Sequence, residues 1–250
     1  MSPSAYSDGV IVMSWNVLHR IHAVNWSEPA IGKWTDEHSR IGSIADFIAA
    51  AEADVICLQE VSGDQLAVLR DIEQGEPFAT RYARVPTFRA PTTETLRDPA
   101  EYLVTIVRDT GARLVRAEAF PTDAGKGFQR IELANLTTVI NTHVSYGEKR
   151  SAQLARLAVE AREAPGLALV CGDFNADRAT CADELGEDFV AAVPGGGLHT
   201  HPRHAPGAKS QDIDHVFVRG GRALEASVLD AELRSDHNPV RVKLRFAPVP

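Results

Sequence analysis

Twice in this chain a stretch of helical period runs straight into a short continuous apolar stretch. Ile41, Ile44, Ala45 and Ile48 occupy the i, i+3, i+4, i+7 positions of one helix face, and Val55-Ile56-Cys57-Leu58 follows. Leu154, Leu157, Ala158 and Ala161 repeat the arrangement, with a Pro165-Gly166 break before Leu167-Ala168-Leu169-Val170-Cys171. Such short apolar runs suit strands covered on both faces. Neither an all-α nor an all-β chain fits this pattern, so the expected fold class is α/β.

Further strands are expected at Val10 to Ser14, Leu103 to Val107, Arg113 to Ala117, Ile131 to Leu136, Thr138 to Asn141 and Asp214 to Val218. Residues 240–246 alternate apolar and basic, which gives a strand one buried and one wet face. Together these segments imply two sheets packed face to face with helices outside. Gly75 to Pro99, Gly195 to Ser210 and the polar segment His19 to Trp34 are expected as loops. With 250 residues, 44% of them hydrophobic, the chain can fill one large core. The expectation is a flexible lead at residues 1–9 and a single domain at 10–246, since no linker composition or 20–50-residue repeat appears.

Charge and cysteine content narrow the function classes. The net charge of −8 disfavours tight, sequence-blind binding to nucleic acid or to a membrane surface. A catalyst that holds nucleic acid transiently is still compatible, because it needs local cations and a metal rather than a basic surface. Arg81, Arg84, Arg89 and Arg97 supply such local charge in the loop after Gly75. Cys57 and Cys171 sit in apolar runs, and with Cys181 they are expected to be buried reduced thiols. The first residues lack a signal-peptide pattern and no apolar run reaches membrane-spanning length, so the expected location is the cytoplasm, with no membrane insertion. A monomer is expected.

Polar residues recur where the apolar runs end: Asn16, Glu60, His143, and Asp173 with Asn175. Asp212-Ile213-Asp214-His215 opens one later strand, and Ser235-Asp236-His237-Asn238 precedes another. Any one of these alone reads as an ordinary strand-end residue. Six such placements can converge at one mouth, carrying carboxylates, amides and imidazoles but no thiolate cluster. Hard oxygen donors of this kind select Mg²⁺, Mn²⁺ or Ca²⁺ over Zn²⁺, which points to phosphate-ester chemistry.

The ordered set Ser14-Trp15-Asn16-Val17-Leu18, Leu58-Gln59-Glu60-Val61, Asn141-Thr142-His143, Gly172-Asp173-Phe174-Asn175, Ile213-Asp214-His215-Val216-Phe217-Val218 and Ser235-Asp236-His237 resembles the endonuclease/exonuclease/phosphatase superfamily, from about residue 10 to 246. The resemblance implies a four-layer α/β/β/α sandwich of two packed mixed sheets with outer helices. It implies Mg²⁺, with Mn²⁺ as a possible substitute, held principally by Glu60 with Asn16 and Asp236 near it. It makes Asp173 and Asn175 the pair that orient the attacking water and the scissile phosphate. It makes His237 the base or phosphate-polarising imidazole, held by Asp214, and His143 a proton donor or phosphate ligand on the leaving side. His143 sets the chain apart from apurinic-site exonucleases and nearer to the branch of pancreatic-type deoxyribonuclease, deadenylases and sphingomyelinases. In that branch Glu101 looks like a carboxylate supporting His143, and Arg130 like an arginine contacting the substrate phosphate.

The leading expectation is a metal-dependent phosphodiesterase, a nuclease cleaving DNA or RNA. The alternative is a phosphatase or sphingomyelinase-like phospholipase acting on a small phosphoester or lipid headgroup, and a non-catalytic binding module is a third reading. His199, His201 and His204 form a run that reads as solvated loop, substrate contact or second metal site. Trp15 reads as core packing, while Trp26, Trp34, His19 and His22 leave base stacking or headgroup recognition open.

Overall fold

The two helix-then-strand units become two parallel strand pairs, one at the centre of each of two sheets. The computed structural model describes residues 9–73, 75–108, 110–204 and 207–246; residues 1–8 of the expected flexible lead lie outside them. In chain order the elements begin β1 (Val10–Asn16), α1 (Arg20–Trp26), α2 (Pro29–Lys33), α3 (Glu37–Ala50), β2 (Val55–Ser62), α4 (Gly63–Leu69), β3 (Glu76–Arg81) and β4 (Glu101–Val107). They continue β5 (Arg113–Phe120), β6 (Asp123–Glu132), β7 (Thr138–His143), α5 (Arg150–Arg162), β8 (Ala168–Asp173), α6 (Arg178–Leu185), β9 (Val190–Ala191), β10 (Asp214–Arg219), β11 (Gly221–Val228) and β12 (Val240–Phe246).

One sheet runs in the order β11-β12-β1-β2-β4-β3 and the other β5-β6-β7-β8-β10-β9. The β1–β2 and β7–β8 pairs are parallel and their other neighbours antiparallel, so both sheets are mixed. Side-chain alternation then builds the layers. Val10, Val12, Val55 and Cys57 of the first sheet meet Val139, Leu169, Cys171, Val216 and Val218 of the second in a shared core. The opposite face of the first sheet, with Met13, Trp15, Ile56 and Leu58, packs on Ile44, Ile48, Leu66 and Leu69 of α3 and α4. Ile140, Val170 and Phe217 do the same with Leu154, Leu157, Ala161, Cys181 and Leu185 of α5 and α6. This is the expected α/β/β/α sandwich, and Trp15 is buried packing as expected. All three cysteines are buried and free, with the Cys57 and Cys171 sulfurs 3.3 Å apart across the core. Among the described residues no helix is long and apolar enough to cross a membrane.

Several local expectations are corrected. The segment His19 to Trp34 holds α1 and α2 rather than loop: they are too short to show a period, but Ile21, Ala23 and Ala30 are buried, Pro29 starts α2, and the His19 ring accepts from the Ile21 amide at the head of α1. The strand expected at Ile131 to Leu136 ends at Glu132 and begins at Asp123, taking in Gly125 and Gly127. β3 lies inside the expected loop 75–99, and β11, α4 and α6 carried no periodic signal that marked them.

Along the core-facing positions polarity rises toward one end of the sandwich. The order is Val12, Ser14, Asn16 on β1; Cys57, Gln59 on β2; Val139, Asn141, His143 on β7; and Leu169, Cys171, Asp173 on β8. The antiparallel β10 runs Val218, Val216, Asp214 to the same end. Just below that end lies a buried polar floor. Gln59 donates to Asn141 Oδ1 (2.8 Å), Asn141 donates to Thr105 Oγ1 (3.1 Å), and Thr105 donates to Gln129 Oε1 (2.7 Å). These bonds offset much of the cost of burying the amides and tie the two sheets together, while Gln59 Oε1 is left without a partner among the described residues.

Candidate active site

Two backbone irregularities aim carboxylates and amides into the mouth above that floor. The β2–β4 pairing slips between Leu58 and Val61, and Glu60 in this bulge has φ +55°. A bulge re-aims one side chain, here into the cleft. Gly172 has φ +152°, and a Cβ there would lie 1.9 Å from the Thr142 carbonyl oxygen, so only glycine lets β8 deliver Asp173 this close to β7. Two residues on, Asn175 has φ +50° and its amide N–H donates to Asp173 Oδ1 (2.9 Å). Left-handed conformations at non-glycine residues carry strain and concentrate where function requires a fixed side-chain direction.

Asp173 is the hub. Its Oδ2 accepts from Asn16 Nδ2 at 3.1 Å and lies 3.3 Å from His143 Nε2 and 3.9 Å from His237 Nε2. Burial works to raise its pKa, but His143, His237 and Lys126 outweigh that and hold the carboxyl well below its usual range. Burial likewise opposes ionisation of Glu60, yet His22, His143 and Lys126 bring it down to about 2. His143 Nε2 stands 3.8 Å from Glu60 Oε1.

The Ser235-Asp236-His237 segment is tied to the end of β1. Trp15 Nε1 donates to the His237 carbonyl (2.9 Å), Ser235 Oγ donates to the Asn16 carbonyl (2.7 Å), and the His237 amide donates to Ser235 Oγ (3.1 Å). This brings His237 Nδ1 within 2.8 Å of Asp214 Oδ2. Burial alone would lower the His237 pKa; Asp214, Asp236 and Asp173 overcome it and raise the value well above the ordinary one. Asp236 remains ionised, as His237 and His201 offset its burial.

Glu60, Lys126, His143, Asp173, Asn175, His201, Asp236 and His237 line a single cleft of about 860 Å³. Most of the residues singled out in the sequence therefore do meet. Three stand elsewhere than expected. Arg130 faces α5, where it pairs with Glu160 (3.3 Å) and Glu163 (2.9 Å), so it does not contact a substrate in the cleft. Glu101 does not support His143; it bonds His22 Nε2 at 2.8 Å. Asn16 is not among the residues that line the cleft; it donates to Asp173 and accepts from the Leu18 amide (3.0 Å), so it brackets Asp173.

Lys126, which the sequence reading did not single out, is the cation beside His143, its Nζ contacting both ring nitrogens. By strand parity it should share the outer face with Phe128 and Arg130. The β5–β6 pairing jumps from Ala119↔Gly127 to Phe120↔Asp123, and that irregularity turns Lys126 inward. Of the histidine run, only His201 reaches the cleft, stacked on His237 with centroids 4.3 Å apart and planes at 10°. His199 pairs with Asp212 and is half exposed, and His204 is exposed.

Glu60 and Asp236 are ionised oxygen donors on one wall system with no thiolate nearby, a donor set suited to a hard divalent cation. Asp173, Asp214 and His237 form one tight acid–imidazole group, and His201, Asp236 and His237 a second. The arrangement can hold a phosphoester between anion-binding cations and a carboxylate that orients water.

The fold recurs in solved structures. An endonuclease/exonuclease/phosphatase from Bacteroides vulgatus superposes with a TM-score of 0.70 at 17% identity, covering 96% of this chain and 100% of that one. Truncated Caenorhabditis elegans TDP2 gives 0.66 at 16% identity, covering 97% and 99%. D. rerio TDP2 complexed with single-strand DNA product gives 0.69 at 14% identity, covering 96% and 100%. At these identities the likeness is one of fold. No curated protein matches the chain. A family model described as the Endonuclease/Exonuclease/phosphatase family, however, matches residues 13–237. That span takes in every polar strand end of the cleft, and the chain belongs to this family of phosphoester hydrolases.

Proposed function

We propose that this chain is a divalent-metal-dependent phosphodiesterase that cleaves nucleic acid by in-line attack of water. The observation that carries the reading is the meeting of Glu60, Asp173, Asn175, His143, His237 and Asp236 in one cleft, with His237 locked to Asp214. Glu60 and Asp236 would hold the ion, in keeping with the divalent-metal dependence of the family. Such an ion, when bound, supplies charge neutralisation at the phosphoryl oxygens.

The chain's own groups do the rest. Asp173, kept ionised, accepts a hydrogen bond from the attacking water, so fixes its lone pair toward phosphorus, and takes its proton as the new P–O bond forms and the bond to the leaving oxygen breaks. Asn16 and the Asn175 amide hold that carboxylate in place. Asn175 Nδ2, anchored on the Val144 carbonyl at 3.0 Å, lies 3.5 Å from His143 and can turn its second N–H to a phosphoryl oxygen. His237, kept protonated by Asp214 and Asp236, donates from Nε2 to another phosphoryl oxygen. His143 and Lys126 stand at the leaving side, where one donates a proton and the other offsets charge on the departing oxygen. The D. rerio TDP2 neighbour with single-strand DNA product supports nucleic acid as the substrate class.

The test is a panel of single-stranded DNA, single-stranded RNA, plasmid DNA, p-nitrophenyl phosphate and sphingomyelin with Mg²⁺ or Mn²⁺. Hydrolysis of a nucleic acid is expected; turnover of the monoester or the lipid alone would replace the reading with a phosphatase or a phospholipase.

A further inference from the structure

Trp26, at the end of α1, is 61% exposed, yet it lines the same cleft as Asp173 and His143. The Arg89 guanidinium lies 4.0 Å from the centroid of its ring. The pair is built into place by Asn25, whose Nδ2 donates to the Thr87 carbonyl (3.0 Å) and whose Oδ1 accepts from the Arg89 amide (2.9 Å). These two bonds lock the end of α1 to the segment carrying Arg89. Among the described residues no carboxylate pairs with Arg89, so its charge is open to an incoming anion. An exposed indole with an unpaired cation stacked on one face, continuous with a phosphoester cleft, matches a ligand that is a flat ring joined to phosphate, the ring taking the other face of the indole. The same guanidinium repels a quaternary-ammonium headgroup, which would otherwise seek an indole face.

Resting on the phosphodiesterase reading, we infer that Trp26 and Arg89 form a nucleotide subsite beside the reacting phosphate, with Trp26 stacking an unpaired nucleobase and Arg89 binding the phosphate next to it. Within a duplex the neighbouring bases stack on both faces of a base and pairing holds its edge, so the subsite takes single strands or frayed ends. Trp26 reads the base and takes no part in the chemistry; its loss therefore acts on substrate capture.

The experiment compares a single-stranded oligonucleotide with an all-abasic strand of the same length, which keeps every phosphate and lacks every base. The enzyme is assayed with Mg²⁺ as wild type, Trp26→Ala, Trp26→Phe and Arg89→Ala. Trp26→Ala is expected to lower kcat/KM on the oligonucleotide about tenfold, chiefly through KM. It should leave the abasic strand unchanged, and Trp26→Phe should keep most of the wild-type value. Arg89→Ala should weaken both strands. Equal effects of Trp26→Ala on both strands, or none on either, would overturn the subsite while leaving the phosphodiesterase reading intact. Wild-type hydrolysis of neither strand, with sphingomyelin vesicles turned over instead, would overturn both.

Discussion

His237 directs Nδ1 at Asp214 Oδ2, 2.8 Å away, while its other nitrogen faces Asp173 at 3.9 Å. One carboxylate thus fixes the ring and a second meets its working edge. Asp214→Asn keeps the shape and removes the charge that favours the protonated ring. The expected result is a fall in kcat of about 10²-fold with a smaller change in KM, and a pH–rate profile whose basic limb moves to lower pH. An unchanged profile would remove Asp214 from this role.

His143 and Lys126 occupy the leaving side together, so their contributions should depend on the leaving group. His143→Ala and Lys126→Met are each expected to slow a nucleic-acid diester by about 10²-fold. On a nitrophenyl diester, whose leaving oxygen needs little protonation or charge compensation, both defects should shrink. His237→Ala should be as damaging on either substrate. Equal losses for His143→Ala on both would mean that it binds phosphate rather than donating a proton.

Stability should carry its own pH signature at His215, on the face of β10 opposite Asp214. His215 lies buried against Phe174 and Phe217 with Nε2 2.9 Å from the Ala176 carbonyl, and burial lowers its pKa to about 4. Between pH 4 and its ordinary value of 6.5 the unfolded chain binds the proton and the folded chain does not. Stability from this residue is therefore complete above about pH 6.5 and declines as pH falls toward 4, by up to about 3 kcal/mol. Urea titrations from pH 7 to 4.5 should show that loss in the wild type and a shallower one in His215→Gln; parallel curves would contradict the assignment.

What the sequence made legible follows from periodicity. Asn141, His143, Asp173 and Asp214 stand at core-facing positions of strands whose lower halves are Val, Leu or Cys, so their convergence could be read from alternation alone. Arg130 shows the same rule neglected: two residues from Phe128, it shares that residue's outer face and meets Glu160. Lys126 shows the rule broken, since the β5–β6 irregularity that turns it inward leaves no period to read. Helices α1 and α2 stayed hidden because their few buried residues were set against polar neighbours such as Arg20, which is itself buried by Glu94, Glu37 and the Trp34 carbonyl. His22 and His201 were visible only as residues near the site, because their partners Glu101 and Asp236 come from distant segments.

The most direct test of the account is the rate of single-strand hydrolysis as a function of Mg²⁺ concentration in the wild type and in Glu60→Gln, after exhaustive treatment with EDTA. The wild-type rate is expected to be at background in EDTA and to rise to saturation with added Mg²⁺. Glu60→Gln should need far more metal and should remain at least about 10²-fold slower at the highest concentration. Full wild-type activity in EDTA, or a Glu60→Gln rate above about a tenth of wild type at saturating Mg²⁺, would contradict the assignment of this cleft as a metal-dependent phosphodiesterase centre.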